Sequence, residues 1–147
     1  MSRWRDADES TGLLLWQVTL TWQRAMRTAL EPHDLTHVQF VLLTSAWWLG
    51  EHEEPPTQQR IADHAGTDTI MTSQVLRRLA ARQLITRELD DRDARARRIV
   101  LTETGRSVLA DALSDVEAAD VEFFAALGQD AAAFRRGLTA LRDDHRV

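Results

Sequence analysis

The sequence has 147 residues and no cysteine, which removes disulfides, thiolate metal sites and thiol-based redox sensing. It has no lysine either, so all eighteen cations are arginine. Arginine suits planar pairing with guanine and phosphate, but it is used throughout the chain, so its abundance alone marks no site. No apolar run approaches the roughly 20 residues of a membrane span. The opening Met1-Ser2-Arg3-Trp4-Arg5-Asp6 lacks the basic-then-apolar layout of a signal peptide. A soluble, cytoplasmic protein with no membrane partner is expected. A Gly-rich phosphate loop, a nucleophile–base–acid set, an internal repeat and low-complexity sequence are all missing, so neither an enzyme nor a cofactor is expected.

The length suits one domain over residues 1–147. The net charge of −5 is unevenly spread. Residues 57–102 hold nine arginines against six acids, a net of +3, whereas the remainder holds nine against seventeen, a net of −8. A basic module on an acidic body is the distribution that a polyanion-binding protein needs.

Within 57–102 the pattern is a short helix, a turn, a longer helix and two apolar runs around a charged hairpin. Thr57 caps a helix that buries Ile61, Ala62 and Ala65, and Gly66-Thr67 makes the turn. Asp68 caps a second helix, predicted over 69–83, with Met71, Val75, Leu76 and Leu79 as its apolar stripe. Thr69, Thr72, Ser73, Gln74, Arg77 and Arg78 are assigned to the opposite face. Such a mix suits the major groove, because glutamine pairs adenine, arginine pairs guanine and hydroxyls reach bases or phosphates. Leu84-Ile85 and Ile99-Val100-Leu101 would be short strands flanking Asp90 to Arg98. An arginine at the tip of such a wing enters a minor groove, where negative potential is focused. Asp93 would orient the strand base near Arg95, with Arg92, Arg97 and Arg98 near phosphates.

Residues 1–9, with an isolated Trp4, read either as a frayed arm or as a segment packed on a partner subunit. Ser10 or Thr11 starts a helix to Leu30 with the stripe Leu14/Leu15, Val18, Trp22, Ala25/Met26 and Ala29. Leu13, Trp16 and Leu20 widen that stripe beyond one face, which implies cover from a second subunit. Pro32 ends it. Thr36 and Gln39 form a capping box for a helix predicted from Thr36 to Leu49 and closed by Gly50. Thr102 caps a long helix predicted from Glu103 to Leu127, and a last helix over 131–143 carries Phe134, Leu138 and Leu141 on one face. Residues 10–31 and 103–145 are the expected dimerisation region.

The histidines suggest no metal. His33 precedes the helix that carries His37, and the Glu51-His52-Glu53-Glu54 loop reads as solvated. His64 is either a phosphate contact or simply exposed. Trp47 and Trp48 lie about 100° apart on one helix, so only one of them points inward.

The order Thr57-x-x-x-Ile61-Ala62, Ser73-Gln74-x-x-Arg77-Arg78-Leu79, Asp93-x-Arg95 and Leu101-Thr102-x-x-Gly105 resembles the MarR family of bacterial transcription regulators, over roughly the whole chain. The resemblance implies a mainly α fold with a small β-wing, a winged helix-turn-helix plus a helical dimerisation bundle. It implies a homodimer on double-stranded DNA, usually a repressor, often released by a small aromatic acid or phenol. Carried over by position, Ser73, Gln74 and Arg77 face bases, Arg78 meets a phosphate or the scaffold, and Arg95 is the wing-tip residue. The effector would lie where the dimerisation helices meet the winged domain, among Trp16, Trp22, His37, Phe40, Thr44 and Trp47. Two positions depart from the pattern: Gln83 stands where a glycine usually ends the recognition helix, and Gln74 where many members carry arginine. The competing reading is a winged-helix protein–protein interaction module.

Overall fold

The computed structural model describes residues 5–146. Trp4 lies outside them. In the described part of the arm, Ala7–Glu9 makes one 3-10 turn. Six α-helices and a two-stranded antiparallel sheet follow: α1 Thr11–Leu30, α2 His37–His52, α3 Gln58–Ala65, α4 Thr69–Ala81, β1 Ile85–Leu89, β2 Arg97–Leu101, α5 Glu103–Phe124 and α6 Ala131–Asp144. The fold is therefore mainly helical with a small β-wing. No helix among the described residues is long and apolar enough to cross a membrane.

Side-chain caps start five of the six helices. Ser10, Thr36, Thr57, Asp68 and Thr102 each accept from the backbone N–H three residues on, at 2.8 to 3.2 Å. Thr36 and Gln39 complete a reciprocal capping box. Gly50 does not close α2, which runs on to His52. Two carbonyls of its last turns find partners without a glycine: Glu53 N–H donates to Leu49 O at 2.7 Å, and the His52 ring reaches Trp48 O at 2.7 Å. The chain then turns away through Pro55 and Pro56. At the other end of the molecule, α5 stops at Phe124 rather than Leu127, and a 3-10 segment over Ala125–Asp130 leads into α6.

Helices α1 to α5 and the two strands build one core. Met26 and Leu30 of α1, Leu42, Leu43 and Leu49 of α2, Ile61 of α3, Leu76 and Leu79 of α4, Ile99 of β2 and Leu109 of α5 are almost wholly buried. Replacing any such leucine by alanine costs about 2–5 kcal/mol. In contrast, the first half of α1 leaves Leu13, Leu14, Leu15, Trp16, Val18 and Leu20 exposed. The apolar face of α6, with Phe134, Leu138 and Leu141, is exposed as well, and α6 has no buried residue.

The junction between α4 and α5 is unusually well tied. α4 ends at Ala81, two residues before the pattern predicts, and Gln83 takes the left-handed conformation at φ 60°. Its N–H donates to Ala80 O at 2.9 Å and the Leu84 N–H donates to Leu79 O at 3.0 Å, the bond pair of a glycine-type helix ending. Left-handed backbone costs a residue with a Cβ about 1–2 kcal/mol. The Thr102 hydroxyl offsets part of this by donating to Gln83 O at 2.6 Å, and it accepts from Gly105 N at 2.9 Å. Thr102 N–H donates to Leu84 O at 3.1 Å. Gly105 is buried against the Leu84 peptide, where a Cβ has no room.

Candidate DNA-binding surface

α3 and α4 are joined by Gly66, left-handed at φ 74°, and Thr67. That turn leaves one side of α4 uncovered. Its inner stripe is Val75, Leu76 and Leu79, all buried. Its outer side carries Thr69, Gln74, Arg77 and Arg78 in solvent, with Ser73 half-buried. Thr72 does not belong to that outer side. It is fully buried, its hydroxyl donating to Asp68 O at 2.7 Å and lying 2.7 Å from the Thr67 hydroxyl, so it secures the first turn of α4.

The wing stands beside this helix. β1 and β2 pair from Ile85↔Leu101 to Leu89↔Arg97, so both strands extend further into the charged hairpin than their apolar runs predict. A bridge from Arg98 to Thr57, and the Ile99 N–H donating to Pro56 O at 2.9 Å, fasten the wing to the start of α3. At the tip, Asp93 accepts the Arg95 N–H on its carboxylate at 2.9 Å and the Ala96 N–H on its carbonyl at 3.0 Å. This small turn leaves the Arg95 side chain in solvent. Arg98 is a wing brace: it donates to Pro55 O at 2.6 Å and pairs with Asp90 at 3.3 Å. The Arg92 N–H, then Arg98, hold the Asp90 carboxyl below its ordinary range. Arg92, though exposed, pairs with Glu54 at 3.4 Å.

Between α4 and the wing lies an open cavity of about 530 Å³, lined among others by Gln58, Ser73, Arg77, Arg87, Arg95 and Arg97. Burial, and then the like charges of Arg77 and Arg97, lower the Arg87 pKa from its ordinary value. Arg87 stays charged all the same. It donates to Gln58 Oε1 at 3.3 Å, and its Nε is buried with no partner. Crowded guanidiniums of this kind are relieved by a polyanion. Arg87 was not singled out from the sequence; two-residue alternation from Ile85 puts it on the inner side of β1, facing the helices.

A protein-family model for the MarR family matches residues 35–96, the span that holds α2 to the wing tip. An HTH-type transcriptional regulator of Bacillus subtilis, YdcH, is 42% identical over 125 residues, covering 85% of each chain. This chain belongs to the MarR family. It is accordingly a DNA-binding transcription regulator and not an enzyme. Among solved structures, CouR of Rhodococcus jostii RHA1 bound to p-coumaroyl-CoA is 26% identical, with a TM-score of 0.82 and 98% of both chains covered. The MarR family protein Rv2887 of Mycobacterium tuberculosis, in complex with salicylic acid, is 28% identical with a TM-score of 0.68, covering 93% of this chain and 98% of that one.

The regulator's six candidate effector residues are only partly convergent. Trp22 and His37 meet edge to face, ring centroids 5.0 Å apart, and Trp22 Nε1 donates to Asp120 at 2.9 Å. Burial lowers the His37 pKa from its ordinary value, with Asp120 opposing and Arg27 adding to the effect. Phe40 is buried, Thr44 and Trp47 are half-buried, and the Thr44 hydroxyl is enclosed without a partner. Trp16 stands apart at 63% exposure, because six residues turn a helix by about 600° and put Trp16 and Trp22 on different sides. Of the six, only His37 lines the open cavity of about 910 Å³ beside α1 and α2, which also takes in Arg24, Arg27 and Arg82.

The remaining histidines are otherwise engaged. His33 lies 2.6 Å from Asp115, and no group of three or more metal-ligating side chains occurs among the described residues. Trp48 is the outward member of its pair and stacks on His52 at 4.1 Å and His64 at 5.4 Å.

Proposed function

We propose that the chain is a homodimeric repressor that acts in the cytoplasm on a pseudo-palindromic operator and is released by a small aromatic ligand. Residues 57–102 form the reading module in this account, and 10–31 with 103–145 the dimerisation region. The observation that carries it is the pairing of two surfaces on one chain. One is the polar side of α4 with Arg77, Arg87, Arg95 and Arg97 around an open groove. The other is the uncovered leucine-rich face of α1 with that of α6. A second copy is the natural cover for the latter, since a two-fold contact buries the same patch twice.

Two recognition helices in such a dimer enter successive major grooves about 34–36 Å apart, so half-sites lie about 10 base pairs apart. Ser73, Gln74 and Arg77 face base edges, Thr69 and Arg78 lie beside them, Arg92 and Arg97 flank phosphates, and Arg95 enters the minor groove. The relatives crystallised with p-coumaroyl-CoA and salicylic acid support an aromatic effector. Trp22 against His37, backed by Phe40, Thr44 and Trp47, is the assigned contact, and Trp16 joins it only through a dimer. The ligand acts by favouring one separation of the reading helices over another.

Selection of bound duplexes from a random library tests the account, run with the wild type and with Arg95→Ala. An inverted repeat with half-sites one turn apart, weakened by Arg95→Ala mainly at flanking A/T positions, is expected. No enrichment at low salt would leave a winged-helix protein-interaction module. A sedimenting monomer at micromolar concentration would remove the dimer.

A further inference from the structure

Ile70 is the second residue of α4 and is 73% exposed, more than any other large apolar residue of the winged module. Single exposed apolar side chains are common and by themselves mean nothing. Its position is what matters: Ile70, Ser73, Gln74 and Arg77 are spaced i, i+3, i+4, i+7, one stripe along the outer side of α4. Asp68 fixes the first turn from below and Thr72 secures it from within, so Ile70 is presented on a rigid backbone. Ile70 and the half-buried Ser73 start the stripe, at the helix end whose residues contact base edges in helix-turn-helix proteins. A branched apolar group has one apolar partner on the floor of the major groove, the thymine C5-methyl.

We propose that Ile70 is a specificity-determining residue that reads a thymine methyl in each half-site. It stands four positions before Gln74, about 6 Å along the helix, which is within two steps of the 3.4 Å base stack. The thymine therefore lies one or two base pairs from the base that Gln74 meets. Cytosine, which lacks the methyl, is disfavoured there. The proposal rests on the DNA-reading assignment of α4.

The test uses a duplex recovered from the random-library selection. Each thymine of a half-site is replaced singly by deoxyuridine, which removes the methyl and keeps every pairing atom. Wild-type protein should lose about fourfold in affinity at one thymine per half-site, the worth of one buried methyl-sized group. Ile70→Ala should be indifferent to deoxyuridine at that position and keep the wild-type response elsewhere, while Ile70→Val keeps part of the response. Melting of the Ile70→Ala protein should match the wild type, since the side chain is exposed. An unchanged deoxyuridine profile in Ile70→Ala, or a wild type that binds the duplex with no methyl dependence at any thymine, overturns the role of Ile70 and leaves α4 a DNA reader. Failure to recover any duplex overturns both.

Discussion

Gly105→Ala should destabilise the protein far more than its small volume suggests. The added Cβ would overlap the Leu84 carbonyl oxygen and stand 2.8 Å from its carbonyl carbon and 3.2 Å from its Cα. All three atoms are backbone, so no rotamer change relieves the contact, and either the start of α5 or the start of β1 must move. Overpacking of this kind costs about 1–3 kcal/mol. Displacing the Leu84 carbonyl also breaks its bond from Thr102 N–H, worth about 1 kcal/mol. Alanine recovers at most about 1 kcal/mol of helix propensity over glycine. With a backbone clash the upper part of the overpacking range applies, and the net is about 2–3 kcal/mol. For a chain of this size that corresponds to a melting temperature lower by roughly 5–10 °C. Urea unfolding followed by circular dichroism at equal protein concentrations measures it. A loss below about 1 kcal/mol with an unchanged urea slope would mean that the α4–α5 junction yields easily and does not tie α4 to α5.

Gln83→Gly at the same junction should stabilise by about 0.5–1 kcal/mol, the left-handed cost less the extra backbone entropy of glycine; a neutral or lower urea midpoint would show that the Thr102 bond removes the strain. Asp68→Ala should cost about 1 kcal/mol through loss of the cap on Met71 N, read by thermal melting. An unchanged melt would deny that cap its role. Burial lowers the His37 pKa from 6.5, so above that pH the ring is neutral both folded and unfolded and contributes no pH dependence. Below 6.5 the unfolded chain takes up the proton first, and stability falls as pH drops toward the folded value. His64 is lowered likewise, chiefly by burial. In a His64→Ala background, His37→Gln should therefore flatten the fall in melting temperature between pH 7 and 5.5, and an unaltered slope would refute the assignment.

Much of the architecture was legible because caps and stripes are local. Thr36 with Gln39, Thr57, Asp68 and Thr102 announce helix starts by chemistry that depends only on the next three residues. Helix ends were less legible. Gly50 looks like a stop, but α2 continues for two exposed residues beyond it and the His52 ring supplies the Trp48 carbonyl's partner from outside the pattern. Thr72 shares its spacing and polarity with exposed neighbours; only the three-dimensional pairing with Asp68 and Thr67 reveals a buried hydroxyl. Arg87 was hidden because a run of charges masks the two-residue alternation of an edge strand. Trp16 and Trp22, grouped by the family resemblance, lie on different sides of α1 because six residues turn a helix by about 600°.

The uncovered leucines of α1 and α6 also bear on quantity. If those faces are hidden only when two chains meet, an operator is occupied by a product of two concentrations rather than one, and folding stability itself rises with the amount of protein present. Halving the supply of chain would then reduce occupancy up to fourfold while monomers predominate. The same leucines that stand uncovered in one subunit would make the regulator respond steeply to its own abundance.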